Sequence, residues 1–314
     1  MRKKKESRMI TISLIVILLS GLSLLLYPTI ANYWNRQHTT KAVAAYSEQV
    51  SNLNDDEYFE IWNAAVEYNR MLISRSNGYL LEEDLQTQYF KLLNVGGTGV
   101  MGYIEIPEID VTLPIYHTTD EAILQVAAGH LEWTSLPVGG ESSHCVISGH
   151  RGLPSAKLFT NLDRMTVGDI FLLRVLDEVL TYEVDQILIV EPQNTEDLTI
   201  VSGKDYCTLV TCTPYGINTH RLLVRGHRIE TEAEAAAIRI TAEAVQIEPL
   251  LIASAIGIPL LILFLIVVFS TGKQNSVSKR NRRKRIEYEK IQNHKFSAGP
   301  DSGSGDAAKP GDGS

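Results

Sequence analysis

The chain has 314 residues, a net charge of −8 and an apolar fraction of 44%, which together allow one or two globular domains. The charge is unevenly placed: residues 1–8 carry a net +4 and residues 272–314 a net +5, so residues 9–271 carry −17. So acidic a central part argues against nucleic acid as a partner. The negative charge would suit a lysine-bearing substrate, although an acidic, solvated surface is the simpler explanation for it.

Two uncharged apolar runs lie near the ends of the chain, at residues 9–33 and 249–271. Each exceeds the roughly 20 residues that a helix needs to cross a bilayer. Basic clusters flank both runs on their terminal sides, so we expect cytoplasmic termini and an extracellular middle. The first run could instead be a cleaved signal peptide with a weak site at Thr29-Ile-Ala31, but its length favours an uncleaved anchor. We assign a basic cytoplasmic segment (1–8), transmembrane helices (9–33 and 247–271) and a basic, then disordered, cytoplasmic tail (272–314).

Residues 34–101 form the extracellular segment that follows the first run. Apolar residues at helical spacing predict two amphipathic helices between Thr39 and Ser76, separated at Asn54-Asp55. Asp55 or Asp56 is expected to cap the second helix. The two stripes are Val43, Tyr46, Val50 and Leu53, then Ile61, Ala65, Tyr68 and Leu72. Four glycines predict a connector over residues 76–101.

Short strand-like runs predict a mainly β domain over residues 102–230, and their number and spacing favour a closed barrel or a sandwich. The predicted strands are Tyr103–Ile106, Val111–Tyr116, Ala128–Glu132, Cys145–Ser148, Ile170–Val175, Leu180–Val190, Tyr206–Thr211 and Leu222–Ile229. Short helices fit Thr119–Val126 and Ala156–Leu162. Alanines and paired charges predict a linker helix at residues 231–246.

The run Thr208-Leu-Val-Thr-Cys212-Thr-Pro-Tyr215 carries the strongest chemical signal. Its β-formers end at Cys212, beside a turn marked by Pro214 and Gly216. Arg221 opens the next strand, nine residues after the cysteine. A thiol and a guanidinium at the mouths of adjacent strands indicate a nucleophile with an anion-stabilising partner. Arg225, on the same strand face, is the second choice for that partner.

These residues resemble the sortase signature, Thr-Leu-x-Thr-Cys followed by an arginine on the next strand. The longer run from Thr211 through Asn218-x-His-Arg221 to Arg225-Gly is similar to class C sortases, which assemble pili. A second match is Ser148-Gly-His150-Arg-Gly152, followed by Leu158-Phe159 and Leu162-Asp163. The resemblance covers about residues 102–229. It implies a closed eight-stranded sortase-type β-barrel. Together with the elements predicted above, the expected fold is mainly β: this barrel with short helices, the amphipathic helices before it and a membrane span on each side.

The resemblance also implies a membrane-anchored cysteine transpeptidase. The Cys212 thiolate would attack the Thr–Gly carbonyl of a Leu-Pro-x-Thr-Gly-like sorting signal, Arg221 would stabilise the oxyanion, and His150 would supply and remove protons. In class C the acceptor amine is a lysine of another pilin. Two alternatives stay open: a sortase that attaches surface proteins to the cell wall, with a cell-wall precursor as partner, and a non-catalytic pilus-assembly membrane protein. We expect no cofactor and no metal, including at the acidic residues Glu191, Glu196 and Asp197.

One feature departs from the class C pattern. Class C sortases usually cover the site with a lid that carries an Asp-Pro-aromatic element, but no proline occurs between Pro28 and Pro107. We therefore expect that the connector at residues 76–101 does not lock the site.

The roles of some neighbouring residues stay open. Ser148 and Thr211 could line a substrate groove or satisfy strand ends, and the loop at 191–204 could grip the signal or be a plain surface loop.

The other two cysteines are expected to lie away from the catalytic face. Cys145 and Cys207 precede His150 and Cys212 by five residues each, and an odd offset along a strand reverses the face. Both should therefore point into the barrel. If their strands are parallel neighbours, the two cysteines lie level. They are then either a strained disulfide or two buried free thiols.

Overall fold

The computed structural model describes residues 2–73, 82–231, 282–283 and 285–290. Its helices are α1 (Arg2–Ser51), α2 (Asp55–Ile73), α3 (Glu83–Tyr89) and α4 (Glu121–Leu124). The strands in the described part are β1 (Val100–Ile106), β2 (Val111–His117), β3 (Ala128–His130), β4 (Ser143–Ser148), β5 (Ile170–Val175), β6 (Glu178–Val190), β7 (Asp205–Thr213) and β8 (His220–Ile229). The predicted second span and linker helix, beyond Thr231, lie outside the described residues.

The chain divides into two units, Met1–Val245 and Gln246–Ser314. In the second unit the described residues are helical, and Arg285 pairs with Glu289 one turn later at 3.6 Å. The rest of the predicted tail is outside the described residues. The first unit contains the β-domain and the helices described below.

The eight strands of the described part close into a barrel in the order β1-β2-β3-β4-β7-β8-β6-β5. The pairs β2–β3 and β4–β7 are parallel, and the other neighbouring pairs are antiparallel. The predicted closed eight-stranded barrel is therefore confirmed. The parallel β4–β7 pair matters most for the site, because it brings two chain segments that are far apart in sequence to the same rim.

The helix predicted at Ala156–Leu162 is wrong. This stretch is a series of turns, and a single 3₁₀ turn follows at Leu162–Arg164. Leu158 adopts a left-handed φ of 37°, which a helix cannot accommodate. The Phe159 amide donates to the carbonyl oxygen of His150 at 3.1 Å, so the loop is tied to the exit of β4 and not to its own preceding turn.

Helix α1 joins the first apolar run to the first predicted extracellular helix without a break. Its segment Ile12–Ser51 is the one helix in the described residues that is long and apolar enough to cross a membrane. At the end of the apolar run, the Asn32 side chain accepts from the Lys157 amide at 2.9 Å. Near the end of the helix, Tyr46 is only 2% exposed, and its hydroxyl bonds the backbone of Met101 and Leu176 at 3.0 and 2.8 Å.

Helix α2 begins with a reciprocal cap. The Glu57 amide donates to Asn54 Oδ1 at 2.9 Å, and the Asn54 amide donates to Glu57 Oε2 at 3.1 Å. The cap is therefore Asn54, and the prediction of Asp55 or Asp56 is wrong, because only Asn54 stands three residues before a carboxylate able to complete this box. The helix buries Ala65, Tyr68, Asn69 and Leu72.

Two apolar clusters lie on opposite faces of the barrel wall. The larger one takes residues from all eight strands and from the N-terminal helices, and it is the barrel core. The smaller one, which we call the outer cluster, comprises the buried residues Val146, Leu198, Val210 and Leu223. Since Leu198 belongs to the β6–β7 loop, this loop packs on the outside of β4, β7 and β8. Cys212 follows Val210 by two residues and therefore shares the outer face.

Candidate active site

Cys212 and Arg221 form a cross-strand pair. The antiparallel register of β7 and β8 sets Cys212 directly opposite Arg221. Side chains of directly opposite residues point to the same face, with Cβ atoms about 5 Å apart. The Cys212 side chain is partly exposed, and Arg221 Nη1 donates to the carbonyl oxygens of His220 and Asn218 at 3.2 and 3.4 Å. The turn between the strands thus holds the guanidinium beside the thiol.

His150 reaches the same rim through the parallel β4–β7 pair. The last register pair is Ser148 with Val210, so His150 and Cys212 each lie two residues beyond it. The ladder continues past this pair: the Gly149 amide donates to the Val210 carbonyl at 3.0 Å, and Thr211 Oγ1 donates to the Gly149 carbonyl at 2.7 Å. The structure thus brings the three residues predicted from the sequence to one end of three adjacent strands.

Thr211 and Ser148 differ in what they do at these strand ends. Thr211 is 2% exposed, and its hydroxyl donates to the Gly149 carbonyl. This bond joins the segment after β4 to β7. This is the second of the two roles left open for it above. Ser148 remains partly exposed on the face that continues to His150.

Arg151 links the segments that carry His150 and Cys212, and the sequence reasoning missed it. Its side chain is 8% exposed, pairs with Asp163 and donates from Nη1 to Thr213 Oγ1 at 3.1 Å. Its guanidinium also lies 5.9 Å from the centre of the Tyr215 ring. Because Arg151 follows His150 and Thr213 follows Cys212, this one side chain ties the two loop exits together. The His-Arg-Gly match and the quoted Asp163 were the available signals.

Glu121 is a second functional candidate that the sequence did not reveal. It begins α4, and its carboxylate oxygens lie 3.3 and 3.2 Å from His150 Nε2. Gln125 donates to the same carboxylate from one turn later. These hydrogen bonds, first from Gln125 and then from His150, lower the pKa of the Glu121 carboxyl. No motif marks this residue, because the contact joins positions 29 residues apart.

Arg225, the second choice for the oxyanion partner, makes other contacts. It makes two hydrogen bonds to the Asp185 carboxylate, at 2.9 and 3.0 Å, and its guanidinium lies 4.2 Å from the centre of the Tyr206 ring. Its register partner on β7 is Thr208, four residues before Cys212. Arg221 is therefore the arginine that faces the thiol.

The β6–β7 loop is fastened to the outer face by His144. The His144 Nδ1 donates to the Thr199 carbonyl at 2.8 Å, and its Nε2 accepts from the Thr208 hydroxyl at 2.7 Å. Burial lowers the pKa of His144, which keeps the ring neutral. Together with Leu198 in the outer cluster, this bond holds the loop against the strands that end at the site.

Cys145 and Cys207 lie away from this face, as predicted. They are register partners on the parallel strands β4 and β7, and both are buried free thiols in the barrel core. Of the two states left open above, the structure has the free thiols. Burial raises the pKa of Cys207 well above its ordinary value, so it stays protonated.

The described part of the connector, residues 82–101, packs on the barrel through Tyr89. This side chain is fully buried, and its hydroxyl donates to His130 Nδ1 at 3.0 Å and accepts from the Thr118 amide at 3.1 Å. Within the residues that the structure describes, no group of three or more His, Cys, Asp and Glu side chains could hold a metal ion.

Comparison with known proteins places the barrel in a family. A Sortase domain model matches residues 104–229. A crystal structure of sortase C1 from Streptococcus agalactiae is 48% identical, with a TM-score of 0.60, over 61% of this chain and 100% of that one. A sortase C from Clostridium perfringens, solved with a C-terminal cell wall sorting motif, is 43% identical, with a TM-score of 0.55, over 61% of this chain and 100% of that one.

Among curated proteins, sortase D of Bacillus subtilis is 30% identical over 131 residues, which are 41% of this chain and 63% of that protein. The match thus spans less than two thirds of this relative's own length. The chain belongs to the sortase family, whose members are cysteine transpeptidases, and the similar solved structures named above are sortases of class C. The family expected from the two motifs is confirmed.

Proposed function

We propose that this chain is a membrane-anchored class C sortase that cleaves a Leu-Pro-x-Thr-Gly-like signal between Thr and Gly and transfers the acyl group to an amine, namely a pilin lysine. The observation that carries the proposal is the placement of Cys212, Arg221 and His150 at one rim. The similarity to the Clostridium perfringens enzyme solved with a cell wall sorting motif supports this class of substrate.

In the first half-reaction the Cys212 thiolate attacks the carbonyl carbon between Thr and Gly. The carbonyl oxygen gains negative charge, and Arg221 donates hydrogen bonds to it from the opposite strand. His150, in its protonated form, gives a proton to the glycine amine as the C–N bond breaks. The products are a thioester on Cys212 and a free glycine amine.

In the second half-reaction an amine attacks the thioester carbonyl, and Arg221 again stabilises the oxyanion. The C–S bond breaks and returns the thiolate, while His150 takes a proton from the attacking nitrogen. The loop at 191–204 borders the outer face beside Cys212, so we assign it to contact with the sorting signal.

The test uses the full chain in detergent with a peptide that carries Leu-Pro-x-Thr-Gly. Mass spectrometry should find a thioacyl adduct on Cys212, glycine-peptide release, and an isopeptide product when a lysine acceptor is added. Cys212→Ala should lose all three. A non-catalytic assembly protein would keep polymer formation in cells that carry Cys212→Ala. Preference for a cell-wall precursor amine over lysine would instead favour the cell-wall-attaching sortase.

The proposed localisation is the cell membrane, with the barrel outside and both termini in the cytoplasm. Helix α1 supports an N-terminal anchor by its length and composition. The basic flanks of the two apolar runs, the second of which lies outside the described residues, support the orientation. Protease added to intact wall-stripped cells should spare an epitope tag placed after Ser314. Loss of the tag under these conditions would refute the two-span topology.

A further inference from the structure

The Glu121 carboxylate is held beside the candidate acid–base residue but stays open to solvent. Its side chain is 70% exposed, whereas the His150 side chain is 24% exposed. His150 Nε2 lies within 3.3 Å of both carboxylate oxygens, and Gln125 holds Oε1 from the following turn. The carboxylate is thus fixed in place, while a group arriving from solvent can still reach it.

The proposed second half-reaction sets a demand that Cys212, His150 and Arg221 do not meet. A lysine side chain has a pKa near 10.4, so it arrives as an ammonium ion. The ion must be held close to the thioester and must lose one proton before its nitrogen can attack, and a second as the amide forms. Arg221 carries the same charge as the incoming group and repels it. A negatively charged side chain next to His150 would supply the missing attraction.

We propose that Glu121 is the binding site for the ammonium group of the acceptor amine. This inference rests on the proposed function and adds to it the recognition of the nucleophile. The carboxylate forms a charge-assisted hydrogen bond with the ammonium and holds it within reach of His150. Glu121 is thus a residue that contacts the acceptor substrate in addition to orienting the imidazole.

The protons balance in this scheme. The ammonium carries two protons that the amide product does not keep. One passes to His150, which regains the proton that it gave to the departing glycine amine. The other passes to solvent, where the released glycine amine takes one up. The new C–N bond replaces the C–S bond, and Cys212 returns as the thiolate.

The other acidic side chains near this rim are less suited to the task. Asp163 is already paired with the Arg151 guanidinium. Asp120 precedes Glu121 and is exposed, but the contacts to His150 come from Glu121. Asp120→Asn is therefore a matched control, since it removes the same charge one residue away.

The experiment compares two nucleophiles with the full-length enzyme and a Leu-Pro-x-Thr-Gly peptide. The first is Nα-acetyl-lysine amide, which is cationic, and the second is hydroxylamine, which is uncharged at neutral pH. Glu121→Gln should lose about tenfold more kcat/KM with the lysine compound than with hydroxylamine, since only the former needs the charge. Asp120→Asn should affect both nucleophiles equally and by less than about twofold.

Three outcomes overturn the inference. An equal loss with both nucleophiles would mean that Glu121 acts only by orienting His150. An unchanged rate with both would place the ammonium site elsewhere. A larger loss with hydroxylamine would exclude charge recognition. Failure of the wild-type enzyme to release the glycine peptide is a separate result, which would refute the proposed function itself.

Discussion

At the scale of single residues, Arg221 lies opposite Cys212. We expect the two parallel N–H donors of its guanidinium to be essential for turnover. Arg221→Lys keeps the charge but cannot donate two parallel hydrogen bonds. Removing an oxyanion donor typically lowers kcat by about 10²–10³-fold, and a drop of roughly 10²-fold is expected here, with little change in KM. Release of the glycine peptide measures it.

Arg225→Lys is the matched control for that substitution. Arg225 sits four residues along the same strand but bonds Asp185 and covers the Tyr206 ring. Its replacement should lower the thermal unfolding midpoint and leave kcat close to that of the wild type. A variant at position 225 that stays fully stable but loses turnover would reverse the assignment of the two arginines.

The three cysteines should differ sharply in reactivity. Cys145 and Cys207 are 1% and 0% exposed and lie in the barrel core, whereas Cys212 is partly exposed at the rim. Alkylation needs a thiol that the reagent can reach, and both core thiols are closed to solvent; burial also keeps Cys207 protonated. Alkylation of the native protein should therefore modify Cys212 alone. Alkylation under denaturing, non-reducing conditions should modify three thiols, and a single modified thiol there would mean a Cys145–Cys207 disulfide.

The sequence predicted the positions of Cys212, His150 and Arg221 but not the contacts that hold them. Each of the three residues belongs to a short motif that can be recognised within a single stretch of sequence. The bond from Arg151 to Thr213 joins positions 62 residues apart, and Glu121 meets His150 across 29 residues. Such pairs are set by the β4–β7 pairing and the position of α4, neither of which leaves a local pattern in the sequence.

At the scale of elements, the buried hydroxyl of Tyr89 is one of the contacts that anchor the connector. His130 Nε2 donates to the Ser135 carbonyl at 2.8 Å, so its Nδ1 accepts from Tyr89. Tyr89→Phe would leave this nitrogen and the Thr118 amide without their partner, at a cost of about 1–3 kcal/mol in the free energy of unfolding. Urea titration measures the loss.

The same substitution tests whether the connector shields the site. We expect that the connector does not lock Cys212, so Tyr89→Phe should leave the rate of Cys212 alkylation unchanged in the native protein. A marked acceleration would show that the segment works as a lid despite lacking the Asp-Pro-aromatic element. Urea titration of the same preparation separates this effect from partial unfolding.

The β6–β7 loop should loosen in mild acid because it is tied to a neutral histidine. In the unfolded chain His144 titrates near pH 6.5, whereas burial and the nearby Arg225 lower its pKa in the fold, partly opposed by Thr199, Asp185 and Asp197. As pH falls below that unfolded value, the unfolded state binds a proton first. The stability that neutral His144 contributes is therefore complete above that pH and declines below it.

This pH dependence can be isolated with His144→Gln, which cannot titrate. Between about pH 7.5 and about pH 5.5, the wild type should lose more unfolding free energy than the variant does. His117, whose pKa is also lowered by burial, is present in both proteins and cancels from the comparison. Equal losses would mean that His144 does not control the loop.

Elements were predictable where a periodic pattern was strong. The strand predictions match β1–β8 to within a few residues, because alternation and turn residues mark each of them. The helix at Ala156–Leu162 was wrong because the left-handed Leu158 and the bond from Phe159 to His150 override its apolar spacing. The pattern also treated the first span and the following helix as separate, although α1 runs through both.

At the scale of the whole molecule, the barrel depends on the last turns of α1 far more than on the turns before them. Asn32, Asn35 and Arg36 contact the barrel from partly or fully exposed positions, and the contact from Arg36 to Asp110 is half exposed on both sides. Tyr46 and Val50, in contrast, are buried in the barrel core. The last part of the helix thus packs on the barrel, and its first part is free to serve as the proposed anchor.

A pair of truncations tests this division. A chain spanning residues 39–231 keeps Tyr46 and loses exposed or partly buried polar contacts, so its unfolding free energy should stay within about 1 kcal/mol of that of residues 12–231 in detergent. A chain spanning residues 52–231 leaves the Met101 carbonyl and the Leu176 amide without the Tyr46 hydroxyl and uncovers the core. Within the longer fragment, Tyr46→Ala should cost roughly 3–5 kcal/mol, and Tyr46→Phe about 1–3 kcal/mol. If residues 52–231 unfold with the same midpoint as residues 39–231, α1 contributes nothing to the stability of the barrel, and the barrel core is complete without it.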